Sequence, residues 1–373
     1  MNKNLCIFFS NDTSLITWKN SGILNREIDY YKKFKKKKFN LTFLTYGDRT
    51  DKFIKNTNLK QIKVLPIYEK ISRPKNYILR NILNIILPTL ILKKEKFDYL
   101  KVNQISGGLA GLIASLFLRK KIFFRIGWEP NILNRYVKSN IFKSLLHKIL
   151  SLIVYNVGNT FSVSSLKIKK FINDTSLFKT IKKIYVIENF IDTKRFRNIK
   201  KKKFEKKIIM ISRLSKEKNI EFLIKAIKGT DIEADIIGNG KEKNRLKKMA
   251  KNEGAKLNFL GSKDNRHLPK YLNSYHVYVI CSKIEGNVKT LLEAMACELI
   301  CIGTNVDGIK NIIQNKKTGF TVNTSKELKN RLIKIFTNVK KYKKLRKSAR
   351  NRILKFNSMD TFFNQELKLL RNI

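Results

Sequence analysis

The chain has 373 residues, too many for one hydrophobic core and enough for two domains of ordinary size. Its 80 Lys and Arg outnumber 28 Asp and Glu, a net charge of +52 that would point to nucleic acid or an anionic surface. No helix-turn-helix, zinc-finger or RNA-binding signature accompanies the charge, and the richness in Ile and Asn shows a compositional bias that fills solvated positions with lysine.

Along the chain, the opening apolar run is too short for a secretion signal and reads as a strand over 6–9. Gly22 follows it in Lys19-Asn20-Ser21-Gly22-Ile23, then Arg26 and Glu27 on an early helix. That helix ends in Tyr31-Lys32-Lys33-Phe34-Lys35-Lys36-Lys37-Lys38-Phe39. Interleaved aromatics and lysines suit an anionic bilayer, where each basic residue near the surface adds ~1 kcal/mol. Further strands are expected at 41–45, 99–102, 122–125 and 160–163. The longest apolar run, 78–92, is interrupted by Arg80, Asn81, Asn84 and Pro88 and falls short of the ~20 residues of a membrane span. It is expected to be a core helix rather than one lying at an interface. The lysine-rich stretch 200–207 is the natural boundary between domains. Beyond it, strands are expected at 208–211, 234–237, 257–260, 277–280 and 300–302. Strands alternating with helices imply parallel sheets covered on both faces. Two α/β domains over 1–200 and 201–355 are therefore expected, with a helix in 356–373 crossing back to the first.

Chemistry gathers in the second half. The strand at 208–211 is followed by Ser212-Arg213-Leu214-Ser215-Lys216-Glu217-Lys218-Asn219 and a helix bearing Ile220, Leu223, Ile224 and Ile227. Open α/β sheets place ligands at the carboxyl ends of their strands. Arg213 offers a planar fork of donors and Lys218 a point charge, both suited to a diphosphate. Among 80 basic residues most are solvated surface, and position after a strand sets this pair apart. Further on comes Glu285-Gly286-Asn287-Val288-Lys289-Thr290-Leu291-Leu292-Glu293-Ala294-Met295-Ala296. A helix starting near Asn287 or Val288 directs free N–H groups at an anion. Glu285 and Glu293, eight positions apart and facing the same way, would accept hydrogen bonds from sugar hydroxyls. An amphipathic helix with one solvated acid gives the same pattern.

These pieces resemble the donor-binding half of family-4 retaining glycosyltransferases (glycosyl transferases group 1). The resemblance rests on Ser212-Arg213-Leu214 with Glu217-Lys218, Asp235-Ile236-Ile237-Gly238-Asn239-Gly240 and Leu257-Asn258-Phe259-Leu260-Gly261. It continues through Cys281-Ser282 with Glu285-Gly286, Leu292-Glu293-Ala294-Met295-Ala296-Cys297 and Thr318-Gly319-Phe320, in that order. Upstream, Asn189-Phe190-Ile191-Asp192 through Phe196 is similar to the piece that precedes the family's second domain. The resemblance implies a GT-B fold, two Rossmann-like domains with parallel sheets facing across a cleft, and transfer of a sugar from a nucleotide-sugar donor to a glycan or lipid-linked acceptor in surface polysaccharide or lipopolysaccharide synthesis. Glu293 would hold the ribose and Glu285 a hydroxyl of the donor sugar. Arg213, Lys218 and the N–H groups of Gly286, Asn287 and Val288 would stabilise the leaving diphosphate without a metal or other cofactor. Gly238, Gly240 and, in the acceptor domain, Gly22 would lie along the nucleotide.

Two departures stand out. Many relatives carry a histidine where this chain has Phe124-Arg125-Ile126-Gly127-Trp128-Glu129-Pro130, so Arg125 or Glu129 is the expected substitute. The family's glycine after Ala-Met-Ala-Cys is Glu298 here, where left-handed strain is expected. The four cysteines (Cys6, Cys281, Cys297, Cys301) show neither metal-ligand spacing nor a disulfide framework. They suit buried positions in a reducing cytoplasm, with contact at the inner face of an anionic membrane. A basic nucleic-acid-binding protein, or a relative that binds nucleotide without turnover, are the other readings; neither a nucleic-acid partner nor a metal is expected.

Overall fold

The computed structural model describes residues 2–54, 59–133, 141–177, 183–199 and 206–373. The chain divides into two compact units, Met1–Ile187 with Phe363–Ile373, and Glu188–Phe362. The division lies upstream of the boundary expected at 200, which places the Asn189–Phe196 motif in the second unit. Most of the lysine stretch, 200–205, lies outside the described residues. The last helix, Met359–Arg371, begins in the second unit and ends in the first.

In the first unit the order is β1 (Lys3–Phe8), α1 (Leu15–Asn20), α2 (Leu24–Lys35), β2 (Phe39–Asp48), β3 (Lys63–Tyr68), α3 (Tyr77–Leu92), β4 (Tyr99–Asn103), α4 (Gly108–Leu118), β5 (Lys121–Ile126), α5 (Pro130–Leu133), α6 (Ile141–Val157), β6 (Thr160–Val163), α7 (Leu166–Thr175) and β7 (Lys183–Val186). The seven strands form one parallel sheet, β3-β2-β1-β4-β5-β6-β7. Side chains alternate across it. On β4, Val102 meets Gly111 of α4, while Lys101 points the other way into the rings of Tyr30, Tyr31 and Phe34 of α2. Helices α2 and α4 therefore cover opposite faces. The aromatics of the 31–39 cluster turn inward: Tyr31, Phe34 and Phe39 are buried, leaving only lysines outside. That corrects the expectation that this cluster presents an aromatic membrane face. The expected core helix at 78–92 is α3, but it is not a core helix; Ile78, Leu79, Ile82, Ile86 and Leu90 are exposed.

The second unit runs β8 (Lys207–Ile211), α8 (Ile220–Ile227), β9 (Glu233–Ile237), α9 (Lys243–Asn252), β10 (Leu257–Gly261), α10 (Leu268–Leu272), β11 (Val277–Ile280), α11 (Lys289–Ala296), β12 (Ile300–Thr304), α12 (Asp307–Lys310), β13 (Phe320–Val322), α13 (Ser325–Thr337), α14 (Lys343–Phe356) and α15 (Met359–Arg371). Its six-stranded parallel sheet has the order β10-β9-β8-β11-β12-β13. Ile208, Met210, Val277 and Val279 feed the core on one face; Ile209, Ile211, Tyr278 and Ile280 feed the other. Strands buried on both faces read as continuous apolar runs, which is why these were legible. The strands missed by sequence, β3, β7 and β13, are all at sheet edges. Strands β7 and β13 are short, and β3 tolerates Pro66 because one row of an edge strand's backbone groups needs no partner.

Candidate functional site

In the second sheet, β8 and β11 are neighbours, yet β8 connects onward to β9 on one side and β11 to β12 on the other. Chain reversal of this kind opens a crevice beyond the carboxyl ends of the two strands. The loops that leave these ends, 212–219 and 281–288, carry Arg213, Lys218, Glu285, Gly286, Asn287 and Val288. Topology thus brings together residues 67 apart in sequence: Lys218 Nζ lies 2.6 Å from Glu285 Oε1. Ser282 donates to the same oxygen at 2.6 Å. Both members of the pair are largely buried.

The first loop is held by backbone. Ser212 N donates to Ile237 O at 3.0 Å and Leu214 N to Asn239 O at 2.9 Å. A side chain on Gly238 would place Cβ 1.8 Å from Ser212 O, and on Gly240 2.3 Å from Leu214 O. With φ +146 at Gly238, only glycine is unstrained there. The close approach these two glycines permit is to the chain's own 212–214 loop. Glu217 accepts from Ser215 Oγ at 2.6 Å, and its carbonyl accepts from Lys283 N at 2.8 Å, tying one loop to the other. Burial pushes the Glu217 carboxyl up, but the Ser215 hydroxyl, a backbone N–H and the charges of Arg213 and Lys218 hold it below its usual range. Arg213 itself is 72% exposed and only 3.5 Å from Glu217 Oε1. The cationic pair expected from sequence is therefore divided into an engaged lysine and a solvated arginine.

Helix α11 starts at Lys289, with Val288 as the residue before its first turn. Glu285 is outside the helix, so helical spacing does not aim the two acids together as expected. What holds the 285–288 segment is its neighbours. Asn189 Nδ2 donates to Asn287 O at 3.1 Å, and a side chain on Gly308 would fall 2.3 Å from Glu285 O and 2.5 Å from Gly286 O. Glu293, in the second turn, is buried and accepts from Asn265 Nδ2 at 2.9 Å; Asn265 Oδ1 in turn accepts from Arg195 at 3.0 Å. Tyr278 lies near both acids. Burial holds its phenol well above the ordinary value, and Glu285 and Glu293 add to that rise. The reading of Glu293 as a solvated acid is thereby excluded. Sequence reasoning missed Asn265 and Gly308; only the Asp307-Gly308 turn pair marked the latter.

In the first unit, Gly22 has φ +71 and closes α1, with its N–H on Lys19 O at 3.0 Å. Arg26 pairs with its neighbour Glu27 at 2.8 Å. Arg125 is buried and donates to Ile187 O at 2.7 Å. Glu129 is buried, accepts from Asn131 at 2.7 Å and from the Tyr155 hydroxyl, and burial pushes its carboxyl up. Both expected histidine substitutes are thus bonded inside the unit. At the corresponding switch point, after β4, Gln104 holds φ +115 with ψ 147, and its Oε1 accepts from Gly127 N and Trp128 N at 3.1 and 3.2 Å. Such backbone costs about 1–3 kcal/mol. Sequence gave no signal for it.

Residues 191–352 match the family model of glycosyl transferases group 1. The match takes in most of the second unit, with both loops of the site. Similar proteins include the N-acetyl-alpha-D-glucosaminyl L-malate synthase of Bacillus anthracis, 34% identical over 165 residues, or 40% of this chain and 43% of that protein. Another is the UDP-Gal:alpha-D-GlcNAc-diphosphoundecaprenol alpha-1,3-galactosyltransferase of Escherichia coli, 26% identical over 71% of this chain and 72% of that protein. Against the first four curated relatives, the matched region spans between a quarter and just under half of their lengths. Among solved structures, Anabaena HepE in complex with UDP matches all of both chains with a TM-score of 0.75 at 15% identity. The sucrose-phosphate synthase of Thermosynechococcus elongatus matches 100% of this chain and 99% of its own with a TM-score of 0.79 at 15% identity. Two parallel α/β units are thus the fold this chain shares with these solved structures.

Proposed function

We propose that the chain is a family-4 retaining glycosyltransferase that moves a sugar from a nucleotide-sugar donor to a glycan or lipid-linked acceptor. The observation that carries this is the buried Lys218–Glu285 pair at the switch point, beside the start of α11 and with Glu293 buried two turns along. Cation, hydroxyl acceptors and helix N-terminus are the three parts a sugar diphosphate needs. Lys218, Arg213 and the N–H groups of Gly286, Asn287 and Val288 take up the negative charge that develops on the leaving diphosphate. They supply positive charge where a divalent metal would otherwise do so. Exposed Arg213 reaches the phosphates by swinging in from solvent. Glu285 accepts from a hydroxyl of the donor sugar, and Glu293 from the ribose. Gly238 and Gly240 keep the 212–214 loop low. A lipid-linked acceptor is supported by the diphosphoundecaprenol substrate of the Escherichia coli relative. Surface polysaccharide or lipopolysaccharide assembly at the cytoplasmic face of an anionic membrane, with no nucleic-acid partner, is the matching role.

Calorimetry with UDP and GDP tests the assignment. Arg213→Ala and Lys218→Ala should each weaken binding by about 1.5–3 kcal/mol, the scale of charged hydrogen bonds. Wild-type affinity in both would refute it. Glu293→Gln should mainly weaken nucleotide binding, whereas Glu285→Gln should lower kcat about 10²-fold or more.

A further inference from the structure

On a solvent-facing helix the outer residues are normally polar. Helix α3 reverses this. Its exposed positions are Ile78, Leu79, Ile82, Ile86 and Leu90, with no polar residue among them. Four of these repeat every fourth residue and so form one stripe. On α4 the exposed residues are Leu116 and Phe117, the latter 78% exposed. On α6, among the described side chains, they are Leu145, Ile149, Ile153 and Val157, again every fourth residue, with Lys148 beside them.

The three helices are neighbours. Helix α3 packs on α4 and α4 on α6, and α3 and α6 together line a small cavity between Tyr77, Asn81, Leu146 and Leu150. The two stripes therefore run side by side on one face of the first unit, opposite the face covered by α2. Soluble proteins rarely expose contiguous apolar surface on this scale without a partner for it.

Charge identifies the partner. Helices α3, α4 and α6 contain no Asp or Glu. Exposed basic residues bracket the stripes: Lys75 before α3, Lys93 and Lys94 after it, and Arg119 after α4. Apolar centre with basic ends is the pattern of helices lying in the interface of an anionic bilayer, where lysines reach the headgroups as the apolar face sinks below them. A second copy fits poorly, because it would bring two acid-free basic surfaces of a +52 chain face to face.

We propose that the α3–α4–α6 face docks the protein on the surface of a membrane rich in anionic lipid, its apolar stripes entering the headgroup boundary. This rests on the proposed membrane-side role only for its biological purpose; the surface is tested without donor or acceptor. The test is co-sedimentation of the full chain with phosphatidylcholine vesicles, with and without phosphatidylglycerol. Wild type should bind the mixed vesicles and bind pure phosphatidylcholine much less. Ile82→Gln, Ile86→Gln, Ile149→Gln and Ile153→Gln together keep the charge and should weaken partitioning about tenfold or more. Because these side chains are already exposed, the melting temperature and UDP affinity should not fall. Absence of vesicle binding by wild type, or equal binding by the fourfold variant, would overturn the proposal. So would a wild-type dimer in light scattering that the same substitutions dissociate. Loss of transferase activity with vesicle binding intact would instead count against the reading of function.

Discussion

Lys101 and Glu366 form an ion pair with side chains 2% and 0% exposed, and they offer a sharp test of how the chain end is built into the first unit. The ammonium lies 5.1 Å from the ring centres of Tyr30 and Tyr31, 5.4 Å from Phe123 and 5.9 Å from Phe34. The Tyr30 hydroxyl donates to the same Glu366 oxygen that Lys101 contacts. Burial already lowers the Lys101 pKa, with Glu366 pulling the other way. Glu366→Leu removes that pull and leaves Lys101 buried without its carboxylate. Breaking one side of a buried pair costs about 3–5 kcal/mol, a fifth or more of a typical domain's stability. Lys101→Met with Glu366→Leu removes both charges and should return to within about 1 kcal/mol of wild type. Urea unfolding followed by tryptophan fluorescence suits the purpose, since the chain's two tryptophans, Trp18 and Trp128, are both in the first unit. The pH dependence has a fixed sign. In the single variant the folded Lys101 pKa drops further, while the unfolded value stays at about 10.4. Between the two the unfolded chain binds the extra proton, so stability rises with pH and the deficit against wild type should narrow from pH 7 to 9. A loss below about 1 kcal/mol, or a double variant no better than the single, would refute the reasoning.

Three further outcomes are expected. Glu298 has φ +58 just after α11, a conformation that costs a side-chain-bearing residue roughly 1–2 kcal/mol. Glu298→Gly should raise the melting temperature of the second unit by about 2–4 °C; a decrease would mean that the 3.0 Å bond from Asn198 to Glu298 matters more than the strain. Gly308→Ala must displace the Glu285–Gly286 backbone and should lower kcat/KM about 10²-fold, and an unchanged value would separate this glycine from the site. Transfer should survive EDTA, and complete loss restored by Mn²⁺ or Mg²⁺ would overturn the charge assignment given to Arg213 and Lys218.

The buried strands were legible because a parallel strand covered on both faces shows as an uninterrupted apolar run, as at Ile208–Ile211 and Val277–Ile280. Three of the four edge strands, β3, β7 and β13, lacked that pressure and were missed, while the edge strand β10 was legible. That Lys218 and Glu285 would come together was legible for the same topological reason, since both follow strand ends. Gln104 and Asn265 were not, because what singles them out is the set of backbone and side-chain atoms they meet, and those come from distant segments. Helix α3 shows a different limit. Its apolar content was plain, but the side facing water depends on which neighbours cover it, and sequence favoured the core. The glycines show a third. Gly238 was expected where backbone must come close, yet the atom that comes close is Ser212 O from the preceding loop.

The Lys218–Glu285 pair changes how the site variants must be interpreted. From sequence, one residue serves the phosphate and the other the sugar, as independent contacts. In the structure each is the other's partner at 2.6 Å. Lys218→Ala therefore removes a phosphate contact and also leaves Glu285 without its cation and freer to turn; Glu285→Gln in turn releases Lys218 toward the diphosphate. The second effect would tighten nucleotide binding while slowing transfer, a combination that neither residue would produce alone. Contacting residues in one network commonly deviate from additivity by about 0.5–3 kcal/mol, comparable to the single effects expected here. Loss of affinity in Lys218→Ala is thus an upper bound on its phosphate contact. The Lys218→Ala/Glu285→Gln double variant, measured for both nucleotide affinity and kcat, is what separates charge stabilisation of the leaving group from the ion pair that positions it.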